Sequence, residues 1–390
     1  MNKLVNILLI SLCLLSMSSC GSHGRRHDDG PRKRTILVYM AGDNNLTSYV
    51  SSNINSMMYG LTKSISRNND LVAYVDRPGQ TPVLLHITES GKDTLMVFPN
   101  DYSAHSVTLT QAIDKTIELF PAESYGLVMW SHGTGWVPSA THLYIDSYKL
   151  LMQERKAPMT RAFGLDMEPD VEWMDLDAMV EGIPAGVFDF ILFDACYMSS
   201  IEVLYELRGK TNWFIGSEIE ILVQGFPYAE IMEDLFHSDY LSVCQKYYGY
   251  YDIQSGEART AGVALVDASK LDNLASAFRA VTESATVDAA DLWQYDLQYV
   301  DRFRHKILFD LKDLAVNLEP SAEALEQFEK ALDECVVYRK NTPYSVGVIK
   351  LDTYSGLNAF VPLAEYEGHI NGYFYNTGWN QAVNLLKYGE

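Results

Sequence analysis

An α/β fold built on a mainly parallel sheet, covered by helices on both faces, is what this sequence predicts, and three observations predict it. Apolar runs of strand length alternate with segments of helical periodicity between residues 35 and 267, the pattern of successive βαβ units. Those runs stop abruptly on turn-forming or chemically reactive residues, among them Gly42-Asp43-Asn44-Asn45, His132-Gly133 and Cys196. A chain of 390 residues that is 47% hydrophobic and 12% aromatic is also long enough for one large α/β domain with additions.

Taken in order, residues 1–20 carry Lys3, an apolar stretch at 4–15 and the small residues Ser18-Ser19 before Cys20. Such a stretch is too short for a lasting membrane span and reads as an export signal. The box Leu14-Leu15-Ser16-Met17-Ser18-Ser19-Cys20 resembles a bacterial lipoprotein processing site. That resemblance implies that Cys20 becomes a lipidated first residue, which would place the protein in the bacterial cell envelope, on the periplasmic or the surface face; the alternative is an ordinary cleaved signal. Residues 21–34, with Gly30-Pro31 and several charges, form a flexible tether. After removal of the signal, which carries Cys13, the cysteines besides the anchor are Cys196, Cys244 and Cys335, an odd set that makes no disulfide framework. Cys244 and Cys335 sit among apolar residues and read as core thiols.

The main domain spans 35–267. A strand at 35–41 leads into a helix capped by Thr47 or a preceding Asn; a strand at 71–76 and a hairpin of 82–88 with 94–98 follow. Helical spacing at 109–120 precedes the strand that runs into His132. Residues 137–164 form a long polar loop with a short strand at 142–145. Helices at 175–183, 199–208 and 240–251 then alternate with the strand that runs into Cys196 and with strands at 213–217 and 261–266. Residues 268–390 make a C-terminal addition, mostly helical to 337, with late strands at 345–350 and 357–361 and a final aromatic-rich helix.

Function follows from where the strands stop. In parallel sheets reactive groups sit just beyond the carboxyl ends of strands, so His132 and Cys196 share one rim. A thiol becomes nucleophilic as the thiolate, and an imidazole within reach can take its proton. A net charge of -21 argues against a nucleic-acid partner, which needs clustered Lys and Arg. No His-x-x-x-His or Cys-x-x-Cys pattern proposes a metal, and no cofactor is expected.

Three blocks sharpen this: Val38-Tyr39-Met40-Ala41-Gly42-Asp43-Asn44-Asn45-Leu46, Trp130-Ser131-His132-Gly133-Thr134-Gly135-Trp136 and Phe193-Asp194-Ala195-Cys196-Tyr197-Met198. In order and spacing they resemble the clostripain family of cysteine peptidases. Ser217-Glu218, Gly225-Phe226-Pro227-Tyr228 and Gly356-Leu357-Asn358-Ala359-Phe360-Val361-Pro362 are similar to its later blocks. The resemblance implies a caspase-like fold with Cys196 as nucleophile, His132 as base and the Gly133 amide as an oxyanion donor. It further implies that Asp194 lies in the pocket for an Arg or Lys side chain, where Gln224 stands in place of a second acid. Asp43 and Asn44 fall on the same rim, either lining the site or forming the turn and cap.

Lys149, Arg155, Lys156 and Arg161 in the polar loop are candidates for self-cleavage into two associated chains. The expected partner is a peptide or protein substrate, with the membrane reached through the anchor; the chain is expected to be a monomer or a processed two-chain form. The family resemblance leaves a calcium requirement open. A catalytically inactive lipoprotein of the same fold that binds peptides or surface proteins is the competing reading, and the 25 tyrosines would suit it.

Overall fold

The computed structural model describes residues 32–99, 102–138, 172–303, 306–362 and 370–387. In chain order the elements are β1 (Arg32–Ala41), α1 (Thr47–Gly60), α2 (Lys63–Asn68), β2 (Asn69–Arg77), β3 (Gln80–Thr88), β4 (Gly91–Val97), α3 (Ser106–Leu119) and β5 (Ala122–Trp130). Next come α4 (Leu176–Gly182), β6 (Phe188–Asp194), α5 (Ile201–Leu207), β7 (Thr211–Gly216), α6 (Tyr228–His237), α7 (Tyr240–Asp252) and β8 (Gly262–Asp267). The remainder comprises α8 (Leu271–Ser284), β9 (Leu308–Asp310), α9 (Leu311–Asn317), α10 (Ala322–Cys335), β10 (Val336–Asn341), β11 (Tyr344–Ser345), β12 (Ile349–Lys350), β13 (Asn358–Phe360), α11 (Ile370–Tyr375) and α12 (Gly378–Val383).

Nine strands make one sheet in the order β10-β8-β7-β6-β5-β1-β2-β3-β4. Its centre is parallel, from β2 through β1, β5 and β6 to β7. Both flanks turn antiparallel, β3 and β4 on one side and β8 and β10 on the other. Strand β1 is buried from Arg34 onward, as expected where both faces of a parallel sheet are covered. Helices α1, α6 and α7 pack together as one group, and α5, α8, α10 and α12 as another. Between β5 and β6 the packing admits no side chain at Gly126, where a β-carbon would stand 2.1 Å from the Phe190 ring.

The C-terminal part departs from expectation in two places. First, the boundary at 267 and 268 separates no compact units, because everything from Arg32 onward forms one. Strand β10 shows why: it follows α10 directly and joins the main sheet antiparallel to β8. Its Val336-Val337-Tyr338 start favours a strand over a further helical turn, and Arg339 and Lys340 suit an edge. Second, the strand expected at 345–350 is a small hairpin of β11 and β12, turned at Val346 and Gly347, whose φ angles are 43° and 71°. The strand expected at 357–361 is present as β13, which pairs with β9 away from the main sheet. The final helix is two short ones, α11 and α12. Helix α6 was not expected. The expected export signal with Cys20, and all but the first residues of the expected polar loop with the strand expected at 142–145, lie outside the described residues.

One buried acid ties this part to the start of α5. Glu202 accepts from the Ser200 hydroxyl at 2.5 Å and from the Phe360 amide at 2.8 Å. Burial raises its carboxyl from the ordinary 4.5 to about 7, against the pull of those two hydrogen bonds. A folded value above the unfolded one means that the native state holds the proton longer. The contribution is therefore complete below pH 4.5 and is lost as the pH rises through about 7. Glu202→Gln should flatten the pH dependence of urea unfolding across that window, by up to about 1.4 kcal/mol per pH unit, the weight of one proton.

Candidate active site

Register along the parallel strands brings two loop starts level. Met40 of β1 pairs with Trp130 of β5, and Trp130 pairs with Asp194 of β6. His132 and Cys196 each follow two residues beyond that level. Between Trp130 and the imidazole, Ser131 donates its hydroxyl to the Ala41 carbonyl at 2.8 Å, tying this turn to the end of β1. A β-carbon on Gly133 would stand 2.1 Å from the Cys196 carbonyl oxygen and 2.8 Å from the Cys196 amide nitrogen. Only glycine fits, so the two turns meet backbone to backbone.

The imidazole of His132 is buried, with Nε2 2.5 Å from Asn45 Oδ1. Asn44 closes its own turn, one of the two roles expected of it. Its side-chain nitrogen donates to the Ala41 carbonyl at 3.0 Å, and its Oδ1 accepts from the Leu46 amide at 2.9 Å. Leu46 occupies the cap position of α1 without a side-chain bond, and Thr47 is already helical, so neither expected cap forms. Asp43 is buried in the same turn. Sequence reasoning passed over Asn45, although a pair of asparagines at a strand end was a signal that one faces the turn and the other the rim.

Cys196 is buried, and the backbone of Ile221 brackets its sulfur: the amide donates to Sγ at 3.2 Å, and the carbonyl oxygen accepts from the thiol at 3.5 Å. Tyr197 follows with φ of 60°, a left-handed conformation that a bulky residue holds only under constraint. Here the constraint is explicit. The Tyr197 amide donates to the Ile219 carbonyl at 3.1 Å, its carbonyl accepts from Asn358 Nδ2 at 3.1 Å, and its hydroxyl donates to Glu220 Oε1 at 2.6 Å. Burial first, and then the Glu220 carboxylate, hold the phenol well above its ordinary range, so it remains a donor. Cys244 and Cys335 are different in kind: burial pushes both thiols up, Cys335 to about 12, and leaves them inert in the core.

The residues expected to choose a substrate are split. Asp194 is fully buried, its Oδ2 accepting from the Tyr228 hydroxyl at 2.8 Å and from the Phe226 amide at 3.4 Å. Gln224 is exposed on the wall of a cleft of about 450 Å³ that starts one residue beyond Ile221. Tyr49, Tyr250 and Tyr251 also line it, and Glu257 supplies its one charged group among the described residues. Lys149, Arg155, Lys156 and Arg161 lie outside the described residues. Among the described residues, no three His, Cys, Asp or Glu side chains are grouped to hold a metal ion.

Known proteins are similar to this chain in sequence and fold. Residues 38–351 match the model of the clostripain family, Peptidase C11. An inactive zymogen C11 protease from Parabacteroides distasonis is 31% identical over 91% of this chain and 99% of its own, with a TM-score of 0.75. A secreted C11 cysteine protease from Bacteroides thetaiotaomicron in complex with an irreversible peptide inhibitor is 26% identical over 90% of this chain and 99% of its own, with a TM-score of 0.77. The secreted C11 cysteine protease "iotapain" from the same organism is 28% identical over 91% of this chain and 100% of its own, with a TM-score of 0.77. None of the curated proteins matches the chain. The mostly parallel sheet with its covering helices is the caspase-like fold that the motifs implied, and a family match spanning most of the chain agrees with it. This chain belongs to the clostripain family of cysteine peptidases.

Proposed function

We propose that the protein is an exported, lipid-anchored cysteine endopeptidase of the bacterial cell envelope in which Cys196 and His132 form the catalytic dyad. The observation that carries the dyad is the backbone contact between Gly133 and Cys196, which places the two turns against each other. Asn45 Oδ1 accepts at Nε2 of His132, which fixes that nitrogen as the protonated one and leaves Nδ1 to accept the thiol proton. The thiolate then adds to the scissile carbonyl, and the oxyanion meets the backbone amides of Gly133 and Cys196. Collapse to the thioester expels the amine, which takes the proton back from His132. Water, deprotonated by the same imidazole, releases the acid product.

For the residue before the scissile bond the reading is Arg or Lys, held in the cleft beside Gln224. Glu257 supports it as the charge on that wall, and the net charge of -21 favours approach of cationic peptides. The related secreted protease solved with an irreversible peptide inhibitor supports a peptide ligand at this rim. The relative solved as an inactive zymogen supports maturation by cleavage within residues 137–164, at Lys149, Arg155, Lys156 or Arg161. Burial of the Cys196 sulfur behind Ile221 favours the second reading, a silent binding lipoprotein. Covalent capture of a peptidyl electrophile by the wild-type protein, lost in Cys196→Ala, separates the two.

Three outcomes are expected from kinetics on a peptide library. Cys196→Ala should lose about 10⁴-fold or more in kcat/KM. Asn45→Ala should lower kcat by roughly 10- to 100-fold with KM little changed, because it frees the imidazole rather than the substrate. Gln224→Glu should raise kcat/KM for Arg and Lys substrates by about 10-fold over uncharged ones. Equal turnover of basic and uncharged peptides by the wild-type enzyme would refute the specificity reading.

A further inference from the structure

The loop that brackets the Cys196 sulfur is anchored by a charge from the C-terminal part of the chain. Glu220, immediately before Ile221, is buried, and Arg302 grips its carboxylate with both arms of the guanidinium, Nε to Oε1 and Nη2 to Oε2, each at 2.7 Å. The Arg302 side chain is itself only 12% exposed. The turn carrying it is organised from within: the Asp301 carboxylate accepts from the amides of Phe303 at 2.8 Å, Ile307 at 2.9 Å and Leu308 at 2.7 Å. Phe303 in turn packs its ring against Tyr197, centroids 5.6 Å apart.

One carboxylate thus receives two inputs, the Tyr197 hydroxyl at 2.6 Å and the bidentate Arg302 fork. Tyr197 is the strained residue after the nucleophile, and Ile221 is the residue after Glu220. Of the two contacts that Ile221 makes with the sulfur, the donating amide at 3.2 Å is closer than the carbonyl at 3.5 Å. A donor aimed at sulfur favours the thiolate over the thiol.

We propose that Arg302 is a positioning residue for the peptidase reaction: through Glu220 it holds both the Cys196-Tyr197 turn and the Ile221 amide, so that a side chain more than a hundred residues away in sequence sets the reactivity of the nucleophile. This rests on Cys196 being that nucleophile. A lysine in its place would keep the charge but lose the two-armed grip, and a tyrosine without its hydroxyl would lose only one of the two inputs to Glu220.

The test is made on the full processed chain with Arg302→Ala, Arg302→Lys and Tyr197→Phe, each checked by circular dichroism and thermal unfolding. For Arg302→Ala, kcat should fall about 10- to 100-fold with KM within about 3-fold, the pattern of a lost interaction made by the reacting group. The pH midpoint for alkylation of Cys196 by iodoacetamide should rise by about one unit, as expected when a hydrogen bond to a charged group is weakened. Arg302→Lys should recover part of both losses, and Tyr197→Phe should show a smaller change in the same direction. An unchanged kcat and alkylation midpoint with only a lower Tm would make the pair purely structural and overturn the proposal. Faster alkylation in Arg302→Ala would overturn it too, by showing that the clamp is a brake. Should Arg302→Ala not fold, Arg302→Lys and Tyr197→Phe decide by the same readouts. Hydrolysis that persists in Cys196→Ala would instead fail the assignment of the nucleophile, leaving the two failures distinguishable.

Discussion

A β-carbon at position 133 has nowhere to go, and the rest of the site depends on that exclusion. Parallel pairing of β5 with β6 ends both strands at one level, but level ends alone leave two turns free to splay apart. The contact of Gly133 with the Cys196 backbone closes the gap, and Ser131 fixes the same turn to β1 from the other side. Placement of the imidazole is thereby set by main-chain packing, which side-chain entropy cannot loosen. Only then does the short bond from Asn45 have a fixed target.

A second constraint is the cost of burying so much polarity around one sulfur. Glu202, Glu218, Glu220, Asp194, Asp301 and Asp310 are all buried in the described structure. Unpaired, each would carry a desolvation penalty of several kcal/mol as an ion. The structure resolves them differently. Glu220 is clasped by the Arg302 guanidinium, while Asp301 draws on three backbone amides yet is still raised by burial to about 6. In Glu218, burial first and then neighbouring Asp310 push the carboxyl well up. Such groups add little stability, but each accepts only a particular neighbour. Glu220 joins the loop at 217–221 to Arg302, Asp310 joins its segment to Ser355, and Glu202 joins the start of α5 to Phe360, so these acids tie distant segments to one geometry.

How much of this was legible follows from the range of each signal. Strand ends were readable because an apolar run that stops on His132 or Cys196 is a local pattern. Asn44 and Asn45 were not separable, since which of two adjacent asparagines faces the rim depends on the turn's dihedral angles. The burial of Asp194 was hidden for a different reason: its partner, the Tyr228 hydroxyl, is far away in sequence, and residue type alone does not say which carboxylate it meets. Strand β10 was missed because no glycine, proline or asparagine separates it from α10. Arg302 and Asn358 act over long separations from segments without periodicity, where residue type alone says nothing about partners.

The order of the strands also bears on what a cut in the polar loop would do. That loop joins β5 to β6, which are hydrogen-bonded neighbours at the centre of the sheet. Breaking the chain between Pro138 and Glu172 would part His132 from Cys196 in sequence while leaving their strands paired. On the far side of the cut, β6 remains bound to β7, and through it to β8 and β10; on the near side β5 keeps β1 and β2. Two fragments that share a sheet and a continuous core stay together without a disulfide, because separating them would expose the apolar faces that formed the sheet. A cut in that loop can therefore leave His132 beside Cys196, provided that the scaffold from β6 to β13 remains in one piece. Asn358 and Arg302 lie in that same piece as Cys196, so the groups that hold the Cys196-Tyr197 turn are never separated from it.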